Sequence, residues 1–247
     1  LRSYATFSHP NVLAGFLLCT LIFFLFTWGS IKEQWKKIFW VIVLLLGTMT
    51  LLLTMSRVAI GLWLLVVIGS AIISRKSRRK SLLLLSSLAV FGISLTPLLF
   101  RFLSVTLSDE SVIDRLTLSG AALSMIASSP FFGIGLGNFL PTLSGMQTEP
   151  ILRFFLQPVH NIFLLIAAET GVLGLLFFCG FLGATYKRLL NKHKKRSFPK
   201  TYLVGLITCL SVILTLGMFD HYFLTLQQGQ LLFALVLGLC WGESLEQ

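Results

Sequence analysis

Acidic residues are scarce in this chain. Of 247 residues only 9 are Asp or Glu, and all charged types together make up 12%, about half the share of an ordinary soluble domain. That scarcity, with 55% hydrophobic residues, excludes a water-soluble globule. The 22 phenylalanines exclude a disordered chain, which could not carry so much apolar surface. The 4 cysteines, Cys19, Cys179, Cys209 and Cys240, contain no Cys-x-x-Cys pair and all fall inside apolar runs. They read as small buried hydrophobes rather than as disulfides or metal ligands. No Asn-x-Ser/Thr sequon, no Gly-x-Ser-x-Gly and no His/Cys/Asp/Glu grouping of zinc spacing occurs. The chain opens on a polar segment, so no signal peptide is expected at this end.

What is present is long apolar runs. Seven candidate spans lie near 12–29, 38–54, 57–74, 81–100, 161–185, 201–219 and 222–241. Each approaches the ~20 residues that a helix needs to cross a bilayer, and each must be helical, because lipid offers no partner to exposed backbone groups. The expected fold is therefore all-α, a polytopic transmembrane helical bundle forming one transmembrane domain over residues 1–247. Its one long connection, about 101–160, is expected to be partly helical. Ser108 and Asp109 can cap a helix to about Ala127, and Pro150 can start a short one through Leu156.

Charge then orders the spans. Fifteen of the 20 basic residues sit in three loops, at 32–37, 75–80 and 187–200. Alternating spans put these loops on one side, and the positive-inside rule makes it cytoplasmic. The other five are Arg2, Arg57, Arg101, Arg115 and Arg153, all outward and none a lysine. Beside them lie five outward acids, Asp109, Glu110, Asp114, Glu149 and Asp220, so the outer side is nearly neutral. A net charge of +11 thus reports orientation rather than nucleic-acid binding. The arginines remain as placed ligands for phosphate or carboxylate, which their planar fork grips bidentately.

Several constellations on that outer side could carry chemistry. His160 and Asn161 stand where the long loop enters a span, and Glu169 lies two and a half turns deeper in an apolar run. An ionisable residue at that depth is a functional candidate, and equally a hydrogen-bonded packing residue. Arg57 follows Thr54-Met55-Ser56 in a tight outer turn; a side chain snorkelling to lipid headgroups is the plainer account. Arg2, His9 and Asn11 precede the first span, and a disordered terminus would explain them as well. Asp220-His221 turns between the last two spans, able to orient a catalytic histidine or simply to form a polar hairpin. The glycine run Pro130-Phe-Phe-Gly-Ile-Gly-Leu-Gly-Asn138 is not a nucleotide loop, since no βαβ context precedes it; a tight outer loop after a helix fits better. The sum is a metal-free outer site, without cofactor, of arginines and histidines. It suits binding a pyrophosphate-linked substrate and moving a proton.

The order Arg2…His9-Pro-Asn11, Ser56-Arg57, Arg115-Leu…Ser-Pro130-Phe-Phe-Gly-Ile-Gly-Leu-Gly-Asn-Phe139, then His160-Asn161…Ala-Glu169-Thr-Gly171…Gly174 resembles the O-antigen ligase and O-antigen polymerase family of bacterial envelope glycosyltransferases. The resemblance covers nearly the whole chain. Since that family has about ten to twelve spans, it implies that this is the C-terminal part of such a protein, placed in the bacterial cytoplasmic (inner) membrane with its active face periplasmic. It implies a metal-independent, inverting transfer of a glycan from an undecaprenyl-pyrophosphate carrier to an acceptor glycan or glycolipid hydroxyl. His160 would activate that hydroxyl, and Arg57 and Arg2 would contact the pyrophosphate. Arg115 and Arg153 would support the loop or bind glycan, with Asn161, Glu169, His9, Asn11, Asp220 and His221 in supporting places. The competing expectation is a membrane transporter of anions or lipid-linked saccharides, using Glu169 and an arginine-lined path.

Overall fold

The computed structural model describes residues 5–27, 31–73, 110–146, 156–195 and 198–243. Among them there is no strand, and the helices are α1 (Pro10–Thr27), α2 (Gln34–Leu53), α3 (Arg57–Ile73), α4 (Glu110–Ser128), α5 (Phe139–Met146), α6 (Ile162–Lys195), α7 (Lys200–Gly217), α8 (Tyr222–Thr225) and α9 (Gln227–Trp241). The span expected at 81–100, the helix expected after Pro150, and Arg2, Arg101 and Arg153 lie outside the described residues. Four helices, α1, α2, α6 and α7, are long and apolar enough to cross a membrane, and α3 and α9 are shorter apolar helices. The chain is an all-helical, multi-pass membrane protein.

Two compact units divide the chain. One comprises Leu1–Val105, Arg188–Leu216 and Gln228–Gln247; the other comprises Thr106–Lys187 and Gly217–Gln227. In the first unit burial is inverted relative to a soluble helix. Trp35, Ile38, Phe39, Ile42, Leu46, Met49 and Leu53 form an exposed apolar stripe along α2, whereas Leu44, Thr48, Leu51 and Leu52 are buried. The three- and four-residue steps give both faces helical period, and the large side chains are on the face that meets lipid. The buried Thr48 hydroxyl donates to the Leu44 carbonyl at 2.7 Å, so no polar atom is stranded. Gly47 lies against Leu21, where an added methyl carbon would stand 2.9 Å from Cδ2, and so lets α1 and α2 close together. Cys209 on α7 donates to the Cys19 carbonyl at 3.6 Å. All four cysteines are free; Cys19, Cys209 and Cys240 are buried, but Cys179 is exposed on α6, where its apolar span faces outward.

The second unit is built on Leu118, Ala122 and Met125 of α4, Phe139 and Leu143 of α5, and Val159, Leu165 and Ala168 around the start of α6. Helix α4 matches the helix expected to end near Ala127. Helix α5 was not expected. It follows the glycine run directly, and Pro141 is tolerated because it falls in the first turn, where its missing N–H had no helical partner.

Helix α6 departs most from a plain span. It is broken at Gly171, whose φ of 70° and ψ of −176° are not helical. The glycine run fills the break with its own backbone. Ile134 N donates to the Ala168 carbonyl and Gly135 N to the Glu169 carbonyl, both at 2.9 Å, while Val172 N donates to the Pro130 carbonyl at 2.8 Å. A helix interrupted in an apolar run must have its freed amides and carbonyls taken up by protein, and the loop does this group by group. The last expected span, 222–241, is also divided. Leu226 is extended (φ −110°, ψ 132°), so α8 is a single turn before α9.

Candidate functional site

The second unit gathers most of the sequence candidates at the N-terminal end of α6. Asn161 caps that helix. Its side-chain oxygen accepts from Phe163 N at 2.9 Å and Leu164 N at 3.1 Å, satisfying two amides that have no helical partner. The cap fixes the backbone next to His160, which stands between it and the fully buried Val159.

His160 Nδ1 lies 3.6 Å from Asp220 Oδ1, with the two side chains only 17% and 13% exposed. His160 Nδ1 is buried and makes no hydrogen bond, so the carboxylate is its close polar neighbour. Asp220 Oδ1 is itself held by the His221 amide at 2.8 Å. Arg115 on α4 donates from Nη1 to the Phe219 carbonyl at 3.2 Å, bracing the hairpin one residue before Asp220. The His160 and His221 rings lie with centroids 5.2 Å apart, tilted by 39°. One ligand-capable atom each from His160, Asp220 and His221 falls within 4.8 Å of the others. No local spacing signals this group, because the fold brings the hairpin to the helix start from far along the chain.

Thr225 is a member that sequence reasoning missed. Its Oγ1 lies 2.6 Å from His221 Nδ1 and donates to the His221 carbonyl at 3.1 Å. A hydroxyl has one proton, so once it goes to the carbonyl the oxygen accepts from Nδ1–H. The lone pair of His221 is then on Nε2. A Thr four residues after a His on one helical turn is the only sequence trace of this.

Glu169 is half-buried and does not join that group. Its Oε1 accepts from Phe139 N at 3.2 Å, the first amide of α5, where a carboxylate also meets the positive end of the helix dipole. Around it the fit is close: a methyl group on Gly133 would collide with the Glu169 backbone, and one on Gly171 with the Phe131 backbone.

The remaining described candidates belong to the first unit. His9 is exposed and its Nδ1 accepts from Asn11 N at 3.2 Å, capping α1 ahead of Pro10. Asn11 is partly buried in the first turn. Arg57 opens α3 after a tight turn in which Met55 takes φ 54°, Thr54 Oγ1 donates to the Leu51 carbonyl at 2.6 Å and Ser56 N donates to Thr54 Oγ1 at 3.3 Å. Left-handed backbone at a bulky residue is uncommon and strained. It is held here by the buried Thr54 hydroxyl, which donates to the Leu51 carbonyl and accepts from Ser56 N.

No curated protein matches this chain. The sequence profile of the O-antigen ligase family matches residues 42–179. That stretch runs from α2 to the middle of α6 and includes Arg57, Arg115, Arg153, His160, Asn161 and Glu169, with Asp220 and His221 beyond it. More than half of the chain is covered, and the protein belongs to the O-antigen ligase family.

Proposed function

We propose that this protein is a membrane glycosyltransferase that moves a glycan from an undecaprenyl-pyrophosphate carrier to a sugar hydroxyl, without a metal, on the periplasmic side of the bacterial inner membrane. The observation that carries the reading is the pairing of His160 with Asp220 at the start of a membrane helix. With its Nδ1–H turned to the carboxylate, His160 keeps a lone pair on Nε2. That atom takes the proton of the acceptor hydroxyl as its oxygen attacks the anomeric carbon. The bond from that carbon to the pyrophosphate oxygen breaks, with inversion, and the electron pair leaves on the pyrophosphate. In the substrate complex, where catalytic hydrogen bonds tighten, Asp220 closes the 3.6 Å gap to Nδ1–H, sets the ring in the required tautomer and offsets the imidazolium charge. Arg57 and Arg2 neutralise the leaving pyrophosphate. Asn161 and Arg115 position the dyad, and Arg153 binds glycan. The donor lipid, the acceptor glycan or glycolipid and the surrounding lipids are the partners.

Transport of anions or lipid-linked saccharides is the competing reading. A broken helix in a span is a mark of many transporters, and α6 is broken at Gly171. There, however, the loop at 130–135 already bonds the Ala168 and Glu169 carbonyls and the Val172 amide, so the break is filled by protein backbone. The test uses the purified full-length protein with lipid-linked donor, acceptor and a chelator. Glycan transfer is expected, with a loss of at least about 100-fold on His160→Ala. Arg57→Ala should weaken binding of the pyrophosphate lipid. Flux into proteoliposomes with no covalent product would overturn the reading.

A further inference from the structure

We propose that His160, Asp220 and His221 form a binding site for a divalent transition-metal ion, best fitted to Zn²⁺, and that its occupancy switches off the His160 base. The effect on transfer rests on the reading above; the binding does not.

The geometry is that of ligands around a common centre. At 3.6 Å His160 Nδ1 and Asp220 Oδ1 are too far apart for a hydrogen bond. They are close to the roughly 3.4 Å that separates two ligands of a tetrahedral zinc with bonds near 2.0–2.1 Å. His160 Nδ1 is buried with no hydrogen bond, an unusual state for a ring nitrogen that a metal bond would relieve. All separations in the group are within 4.8 Å, so side-chain rotation has at most about 1.4 Å to close to reach the same figure.

The surroundings are those of ligating side chains. A metal-bound histidine commonly donates its other N–H to a fixed acceptor, which sets the tautomer. Thr225 Oγ1 plays that part for His221, leaving Nε2 to bind. Asp220 is fixed by the His221 amide, as ligating carboxylates are fixed by hydrogen bonds. Two imidazoles and one carboxylate suit zinc and its neighbours and disfavour Mg²⁺. Three protein ligands leave a fourth position for water.

Occupancy and base catalysis exclude each other by proton count. A neutral imidazole has one N–H and one lone pair. When the metal takes the lone pair at Nδ1, the proton that was there resides on Nε2. Nε2 then has nothing with which to accept the hydroxyl proton. No proton is lost or gained by the ring; the tautomer changes.

The experiment uses the full chain in detergent with any affinity tag removed. Co²⁺ is titrated by its visible absorption and Zn²⁺ by calorimetry, and glycan transfer is assayed in parallel. One saturable Co²⁺ site per chain is expected, displaced by Zn²⁺ and not by Mg²⁺. His221→Ala and the near-isosteric Asp220→Asn should each weaken it at least tenfold while elution volume and helical circular dichroism are kept. In the unsubstituted protein Zn²⁺ should suppress transfer and a chelator restore it. Absence of a saturable signal, or a signal unchanged in both variants, overturns the site. Binding without any effect on transfer overturns the switch, as does transfer that needs Zn²⁺, which would also end the metal-independent reading. If the site binds metal but no preparation transfers glycan, the proposed function fails and the metal site stands.

Discussion

Gly171 is packed so closely on Phe131 that a single methyl carbon on its α-carbon would run into the Phe131 carbonyl. Its φ of 70° with ψ of −176° is a conformation open essentially to glycine alone. The two constraints have one origin. The backbone of the glycine run replaces the helical hydrogen bonds that α6 lacks at the break, so the loop must come to backbone contact. Gly133 makes the reciprocal approach to Glu169. The loop and the break are therefore one structural element.

Gly171→Ala should accordingly destabilise the protein by at least about 2 kcal/mol, read as a fall of roughly 4–8 °C in thermal midpoint in detergent. Gly183→Ala on the same helix is the control. Nothing lies within 4 Å of its added carbon, and removing a helical glycine should be neutral or stabilise by up to about 1 kcal/mol. Equal midpoints for the two variants would mean that the break is not held as described.

Glu169 tests whether a carboxylate in an apolar helix serves chemistry or packing. Its contact is with the first amide of α5, which a neutral amide oxygen can also accept. Glu169→Gln should retain stability and transfer within about twofold, whereas Glu169→Ala should lose about 1–2 kcal/mol. A folded Glu169→Gln protein that transfers no glycan would show that the carboxyl group itself serves the chemistry.

Much of the helical framework is legible from apolar run length alone. The runs at 12–29, 38–54, 57–74, 161–185 and 201–219 each coincide with a helix, because a bilayer forces an apolar run of that length to satisfy its own backbone. The break at Gly171 is not legible that way, since hydropathy averages over it and glycine is ordinary in membrane helices. The division at Leu226 hides for the same reason, inside a run that remains apolar through both halves. Helix α5 escapes because glycine and proline signal a loop, whereas Pro141 happens to fall where a first turn accepts it. At the site, Asn161 is readable as a cap and His160 as an entry residue, each from local position. Their assembly with Asp220, His221 and Thr225 is not, because no spacing rule connects a hairpin to a helix start so distant in the chain. The sequence has no zinc spacing, and the fold assembles this cluster from residues far apart in the chain.

The cap at Asn161 gives a stability prediction separable from catalysis. Asn161→Ala leaves Phe163 and Leu164 amides without their acceptor and should reduce stability by about 1 kcal/mol. Asn161→Asp keeps an acceptor oxygen in place and should preserve most of it. Thermal unfolding of the two proteins side by side decides the matter: a drop of equal size in both would assign the effect to something other than the cap.

Arg115 offers the sharpest separation between a positioning residue and a substrate-binding one. Its guanidinium donates to the Phe219 carbonyl, next to Asp220, and Asp220 faces His160. If the arginine acts by holding the hairpin, Arg115→Ala lets Asp220 drift and the imidazole lose its orientation. The chemical step should then slow by roughly tenfold, because small displacements of a dyad are expensive in rate, while KM for the pyrophosphate lipid stays within about twofold, as expected when binding is untouched. If instead it grips the donor or the glycan, KM should rise and kcat should hold. Asp220→Asn provides the scale, since it leaves the shape and removes the charge, and a loss of about 10²–10⁴ in kcat is expected by analogy with other histidine–carboxylate pairs. Combining Arg115→Ala with Asp220→Asn then completes the argument: a positioning arginine has little left to position, so the double variant should be scarcely slower than Asp220→Asn alone, whereas independent roles would multiply the two losses.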